Sequence, residues 1–300
     1  MSQNRREFLK TVAAIGTSAG ALTALSPNKA KAKSNDILSE DRMGVLVDST
    51  VCIGCRKCEW ACRGAHGIEN GDIRDYENKE VFDTKRRPTY DNLTVVNRYS
   101  ENEGNTSSIK LQCMHCDHPA CVSACIVGAI SKKKNGAVIW DTDMCIGCRY
   151  CMVACPFQIP AFEYHKALDP KIVKCDFCFE RTAEGKLPAC VDICPVEAIT
   201  YGKREDLIVE AKRRFKNHPD RYFEHVFGEH EVGGTSWLYL ADKNLAGPVF
   251  PKLSNNTAPG VSESIQHGLF AYFVPPIAVY ALLGGIMWLT KDKQKSEEKL

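Results

Sequence analysis

Sixteen cysteines constrain this chain more than any other feature, because they fall into four tight quartets with none left over. The quartets are Cys52, Cys55, Cys58 and Cys62; Cys113, Cys116, Cys121 and Cys125; Cys145, Cys148, Cys151 and Cys155; and Cys175, Cys178, Cys190 and Cys194. Disulfides fit this pattern poorly. Cysteines so closely spaced close strained rings, and short loops yield little entropic stabilisation. Zinc binds C-x2-C pairs, but its sites take separated pairs and have no use for a third cysteine two residues on. Three thiolates on one tight loop can instead grip three corners of a [4Fe-4S] cubane, while a fourth, set slightly beyond, points to a different cluster.

The first and third quartets read C-x2-C-x2-C-x3-C, and Pro156 completes the bacterial ferredoxin signature in the third. Pro195 follows the fourth quartet in the same way, whereas Ile126 stands where the second would carry proline. Gly54 and Gly147 lie between the first two ligands of their loops, where backbone amides can approach cluster sulfides. His115 and His118 fall inside the second quartet and read as loop residues, since four sulfurs already fill that site.

An internal repeat sorts the quartets. Gly44-Val45-Leu46-Val47-Asp48 before Cys52-Ile53-Gly54-Cys55-Arg56 recurs as Ala137-Val138-Ile139-Trp140-Asp141 before Cys145-Ile146-Gly147-Cys148-Arg149. Pro119-Ala120-Cys121-Val122, Cys125 and Ala129-Ile130 recur as Pro188-Ala189-Cys190-Val191, Cys194 and Ala198-Ile199. A two-cluster ferredoxin needs one loop of each kind. Asn135-Gly136 is a hairpin signal between the strand leaving quartet two, Ala129 to Ser131, and the strand entering quartet three, Ala137 to Trp140. Quartets two and three therefore form an inner unit (residues 110–165). The strand Val45 to Val47 then takes Ala198 to Tyr201 as partner, giving an outer unit (44–62 with 172–201). With the fourth cysteine of each loop crossing over, four sites are expected: Cys52, Cys55, Cys58 with Cys194; Cys113, Cys116, Cys121 with Cys155; Cys145, Cys148, Cys151 with Cys125; and Cys175, Cys178, Cys190 with Cys62.

The fold class expected is α+β: two nested ferredoxin-like units spanning 44–201, with an insertion at 63–109 and an extension at 202–262. The insertion, rich in Asn, Thr and mixed charge, reads either as a docking surface or as a solvated loop region. In the extension, Arg204 to Lys216 reads as a helix with Leu207, Ile208, Ala211 and Phe215 on one face, and Ser236 to Leu240 as a strand. A formal net charge of +2 on 300 residues gives no field to recruit nucleic acid.

The ends point to a membrane. Asn4-Arg5-Arg6-Glu7-Phe8-Leu9-Lys10, followed by a weakly apolar run, looks like a twin-arginine export signal, with residues 1–32 removed. Gly268 to Thr290 is uncharged and long enough for a spanning helix. Lys291, Lys293, Lys295 and Lys299 follow it, so the tail at 291–300 belongs in the cytoplasm and the globular part on the periplasmic side of the inner membrane. Pro275-Pro276 implies a kink covered by neighbouring helices. His267 reads as an interfacial polar residue, with contact to a partner's quinone or haem as the alternative.

Four quartets in this order, with the fourth expanded between its second and third cysteines, resemble the four-cluster iron-sulfur subunit family of membrane-bound respiratory oxidoreductases. With the signal, the C-terminal helix, Glu231-Val232-Gly233-Gly234-Thr235 and Ser262-Glu263-Ser264-Ile265-Gln266-His267, the chain resembles most the subunit of periplasm-facing [NiFe] hydrogenases. The resemblance implies an electron-transfer subunit with no catalytic site of its own. Electrons would pass between a catalytic subunit and quinone through an integral membrane partner or a multihaem cytochrome. The alternative inside the family is the subunit of a molybdenum or tungsten enzyme such as formate dehydrogenase, or of a cytochrome-linked transmembrane redox complex. From another class, the clusters would be structural or sensory in a tethered scaffold.

Overall fold

The computed structural model describes residues 39, 41–102, 105–166, 168, 170–243, 250–259 and 279–287. The expected signal peptide, His267 and the cytoplasmic tail lie outside them. Of the expected spanning segment only residues 279–287 are described, and they are helical. No helix among the described residues is long and apolar enough to cross a membrane.

Strand β1 (Met43–Asp48) is an almost uninterrupted apolar run because both of its faces are covered. Alternation sends Val45 and Val47 into one core and Leu46 into a second. The last strand of the extension, β9 (Trp237–Leu240), follows the same rule, with Trp237 and Tyr239 in the first core and Leu238 and Leu240 in the second. It pairs parallel with β1, Val45 opposite Trp237. On the other side β1 pairs antiparallel with β8 (Ile199–Lys203), Val47 opposite Ile199 and Val45 opposite Tyr201. This is the pairing that the repeat led us to expect.

The first core lies under a hairpin of β2 (Val95–Asn102) and β3 (Asn105–Leu111), whose Val96 and Ile109 are each 1% exposed. The C-terminal part of the expected insertion is therefore folded against the sheet rather than solvated. The second core is closed by a long helix (Arg204–Asn217) through Leu207, Ile208 and Ala211, with Phe215 at its edge. Asp48, at the end of β1, ties the two together by accepting from Arg214 at 3.0 Å and from the Tyr222 hydroxyl at 2.8 Å.

A smaller core of Ile130, Val138, Cys151 and Ile172 belongs to the middle of the chain. There β4 (Ile130–Lys132) pairs with β5 (Val138–Trp140), one residue later at the first strand than the sequence suggests, and β6 (Ala161–Phe162) pairs with β7 (Ile172–Val173). Gly136 makes the turn at φ +95°. The turn is also the joint to the large sheet, because the Met43 amide donates to the Asn135 carbonyl at 3.0 Å and Ser236 Oγ donates to the Gly136 carbonyl at 3.2 Å. Four short helices follow the cysteine loops: α1 (Lys57–Ala65), α2 (Ala120–Ser123), α3 (Tyr150–Ala154) and α5 (Ala189–Asp192), with α4 (Phe179–Ala183) inside the longer fourth quartet. α1 packs on α5, and α2 on α3.

Candidate iron-sulfur sites

All four cysteine loops make the same backbone turn. The residue before the second cysteine has positive φ in each: Gly54 at +70°, His115 at +50°, Gly147 at +67° and Phe177 at +69°. In the first and third loops the residue after that cysteine, Arg56 at +60° and Arg149 at +63°, also enters the left-handed region and starts a helix. Such turns aim successive N–H groups to one side and make an anion-binding concavity. The sequence reveals the two glycines, but not that His115 and Phe177 adopt the conformation a glycine would take more cheaply. For a side-chain-bearing residue this costs of order 1 kcal/mol, which the surrounding packing must hold.

The folded chain brings distant sulfurs together. Burial pushes the Cys116 thiol well up, and the further upward push comes from Cys113, Cys155 and Cys121. Cys151 is raised to about 11, again by burial first and then by Cys148, Cys145 and Cys125. In the terminal segments, burial raises Cys52, and Cys194 and Cys55 add to it. Cys178 rises to about 12 through burial and Cys190, with Cys62 contributing. The groups also act on one another electrostatically in order: Cys58 is acted on by Cys190, Cys175 by Cys113, and Cys121 by Cys151. Thiols this reluctant to ionise surrender their protons when iron takes their place.

Three further observations fit a buried anionic group. His115 is fully buried, and its Nδ1 accepts the Val138 amide at 2.8 Å, so its proton sits on Nε2, which has no partner. Burial, with Lys174 and Lys132 beyond it, holds that imidazole well below the usual histidine range. His115 is thus a loop residue, as the sequence suggests, and in addition a buried N–H donor inside the second loop. Second, Lys110 and Lys174 are 2% and 1% exposed, yet neither forms an ion pair with a carboxylate among the described residues. Buried ammoniums need negative charge nearby. Third, His66 Nε2 lies 2.8 Å from Asp176 and its Nδ1 2.7 Å from the Cys62 carbonyl, joining α1 to the fourth loop. Burial lowers the His66 pKa, but Asp176 and Cys62 outweigh it and lift the group to about 11. The donor set is thus all sulfur, with N–H and ammonium groups around it, which suits [4Fe-4S] clusters.

A 4Fe-4S dicluster domain is matched over residues 106–204. A protein of Nitratidesulfovibrio vulgaris strain Hildenborough is 43% identical over 299 residues, covering 97% of this chain and 78% of that relative. The hydrogenase-2 operon protein HybA of Escherichia coli O157:H7 is 34% identical over 329 residues, covering 98% of this chain and 97% of HybA. The formate dehydrogenase-O iron-sulfur subunit of Escherichia coli K12 is 34% identical over 239 residues, covering 76% of this chain and 75% of that subunit.

Proposed function

Since the chain belongs to the family of ferredoxin-type [4Fe-4S] electron-transfer subunits related to HybA and to formate dehydrogenase iron-sulfur subunits, we propose that it is the electron wire of a membrane-bound hydrogenase-type complex. Each cluster, when bound, takes up and releases one electron at a time.

The ligand sets are Cys52, Cys55, Cys58 and Cys194; Cys62, Cys175, Cys178 and Cys190; Cys113, Cys116, Cys121 and Cys155; and Cys125, Cys145, Cys148 and Cys151. What carries this reading is the crossing of the fourth sulfurs, with Cys155 acting on Cys116, Cys125 on Cys151, Cys194 on Cys52 and Cys62 on Cys178. The electrostatic influence of Cys190 on Cys58, of Cys113 on Cys175 and of Cys151 on Cys121 supports one line of sites, running from that of Cys52 through those of Cys175 and Cys113 to that of Cys145. The two ends of that line carry exposed apolar residues, Ile53 at one and Ile146 and Val153 at the other, as surfaces that meet redox partners do.

A catalytic subunit docks at one end, and an integral membrane partner or multihaem cytochrome linked to quinone at the other. A twin-arginine signal read at residues 1–32 and a spanning segment read at 268–290 support a wire on the periplasmic face, tethered by a single pass. The end-to-end match to HybA favours a hydrogenase-type partner. A formate dehydrogenase-type molybdenum or tungsten partner is the second reading, supported by the shorter match to that enzyme's subunit.

Cys155→Ser tests the ligand sets. Electron paramagnetic resonance on the full chain should lose or convert the cluster of Cys113, Cys116 and Cys121 and keep that of Cys145, Cys148 and Cys151. The opposite pattern sinks the crossed assignment. The protein that co-purifies in detergent, a [NiFe] or a molybdopterin subunit, decides between the two partners.

A further inference from the structure

The insertion reaches past the loop it covers. Arg86 is fixed to β2 by Asn97, whose side chain accepts from the Arg86 amide at 2.9 Å and donates to the Arg86 carbonyl at 2.8 Å. The next residue, Arg87, is thereby presented to the inner unit. One nitrogen of its guanidinium donates to Gln158 Oε1 at 2.6 Å, and another donates to the Gln158 carbonyl at 2.7 Å and to the Phe157 carbonyl at 3.3 Å. Tyr90 makes a second link, its ring centred 4.3 Å from that of His165.

Phe157 and Gln158 belong to the turn that follows Cys155, and two other quartets end in the same turn. The amide three residues on donates back to the cysteine carbonyl, Gly128 to Cys125 at 3.1 Å, Gln158 to Cys155 at 3.0 Å and Glu197 to Cys194 at 3.3 Å. All three donors have positive φ, +69°, +52° and +50°. Glycine takes that conformation freely, whereas glutamine and glutamate must be held in it. After Gly128 and Glu197 the hold follows at once, because the Asp141 amide donates to the Ala129 carbonyl at 2.7 Å and the Asp48 amide to the Ala198 carbonyl at 2.8 Å. After Gln158 no strand begins until Ala161, and that strand, β6, has two residues. There the hold comes from Arg87.

The two carbonyls that Arg87 grips also fix where two amides point. The Phe157 carbonyl shares its peptide plane with the Gln158 N–H, and the Gln158 carbonyl shares its plane with the Ile159 N–H. In a trans peptide the two groups point in opposite directions. The amide of Ile159, with those of Phe157 and Gln158, donates to the Cys155 sulfur. We propose that Arg87 is a positioning residue for Cys155: it grips the oxygen ends of two peptides, aims their N–H ends at the sulfur, and so tunes the potential of the one cluster that Cys155 helps to hold. Reduction adds one electron, hence one negative charge, to that cluster and moves no proton. N–H groups aimed at a ligand sulfur stabilise the added charge. The inference rests on Cys155 being a cluster ligand, as proposed above, and not on which three cysteines share its cluster.

The test is a redox titration of the full, cluster-loaded chain with dithionite, followed by electron paramagnetic resonance. The cluster to watch is the one whose signal Cys155→Ser removes or converts. Arg87→Met should move its midpoint to more negative values and leave the other three in place. Arg87→Lys keeps the positive charge but not the planar fork that spans two carbonyls, and should move the same midpoint. Adding Gln158→Gly to either variant should bring the midpoint most of the way back, because glycine takes the turn without being held. A grip that served only to dock the insertion would gain nothing from that glycine. If Arg87→Met holds less iron, Arg87→Gln is titrated instead and the same cluster must move. An unmoved midpoint, an equal shift at all four clusters, an Arg87→Lys variant that titrates like the unmodified chain, or no recovery with Gln158→Gly overturns the inference. Failure of the ligand reading looks different: Cys155→Ser then leaves every signal intact, and both readings fall together.

Discussion

The first and third cysteine loops share spacing, backbone turn and flanking strand, yet the helix that follows the first is covered and the one that follows the third is not. After Cys55 the chain enters a nine-residue helix, α1, and Glu59 on it is wholly buried. Its carboxylate accepts from Arg86 at 2.6 Å, from Arg56 at 3.1 Å and from the Val96 amide at 2.7 Å, so the insertion is bolted over the loop. In the third loop Met152 stands where Glu59 would be, α3 has five residues, Val153 is 81% exposed and Cys148 is exposed, while the loop-tip residues Ile53 and Ile146 are exposed alike. Ligand spacing thus fixes the path of the loop but not what covers it. The cover comes from the residues between Cys62 and Cys113, and the inner unit has no equivalent among the described residues.

The largest expected consequence appears when iron is removed. The inner strands hold a core of four residues, one of them a cysteine, whereas β1 is buried on both faces. After oxidative chelation of the clusters, hydrogen exchange should show the amides of Val138 to Trp140 losing protection while those of Val45 to Val47 keep most of theirs. Simultaneous loss in both would erase the contrast drawn above.

Next in size is the buried carboxylate. Glu59→Leu strands the Arg86 and Arg56 guanidiniums and should cost about 3–5 kcal/mol. Glu163→Gln, at the partly exposed ion pair with Lys166 in the inner unit, should cost at most about 1 kcal/mol. Denaturant unfolding of the two loaded variants reads the difference, and equal costs would mean that the cover adds nothing.

The smallest effect separates two glycines in identical turns. Gly147→Ala should cost about 1 kcal/mol from its positive φ alone, since its new Cβ would lie 3.4 Å from Phe162 and from the Pro170 carbonyl. Gly54→Ala meets Ser108 Oγ at 2.5 Å under the hairpin and should cost about 1–3 kcal/mol more. Thermal unfolding with matched iron content would measure it.

Much of this was legible in sequence because it rests on spacing and period. The quartets, the Asn135-Gly136 hairpin and the apolar stripe of Leu207, Ile208 and Ala211 are local signals. The hairpin over the first core was not, because the buried residues in and beside its strands include the polar Thr94, Asn97, Ser107, Ser108, Lys110 and Gln112. Polar residues in strands read as loop unless one knows what they face. Val95-Val96 and Ile109, on either side of the Asn-Glu-Gly-Asn stretch in the sequence, were the available hint. The burial of His115 was equally hidden, since a histidine between ligands carries no mark of its depth.

The placement of β1 also sets an order of assembly. It is the middle strand of its sheet, and both of its partners, Ile199–Lys203 and Trp237–Leu240, leave the ribosome more than half a chain after it. The inner strands and their loops form from one continuous stretch, so they can close during synthesis, while the first-made strand waits with two bare edges. The molecule is wound from its middle outwards. A chain cut short anywhere before residue 237 leaves that edge open, and its outer sulfurs are never fully walled in.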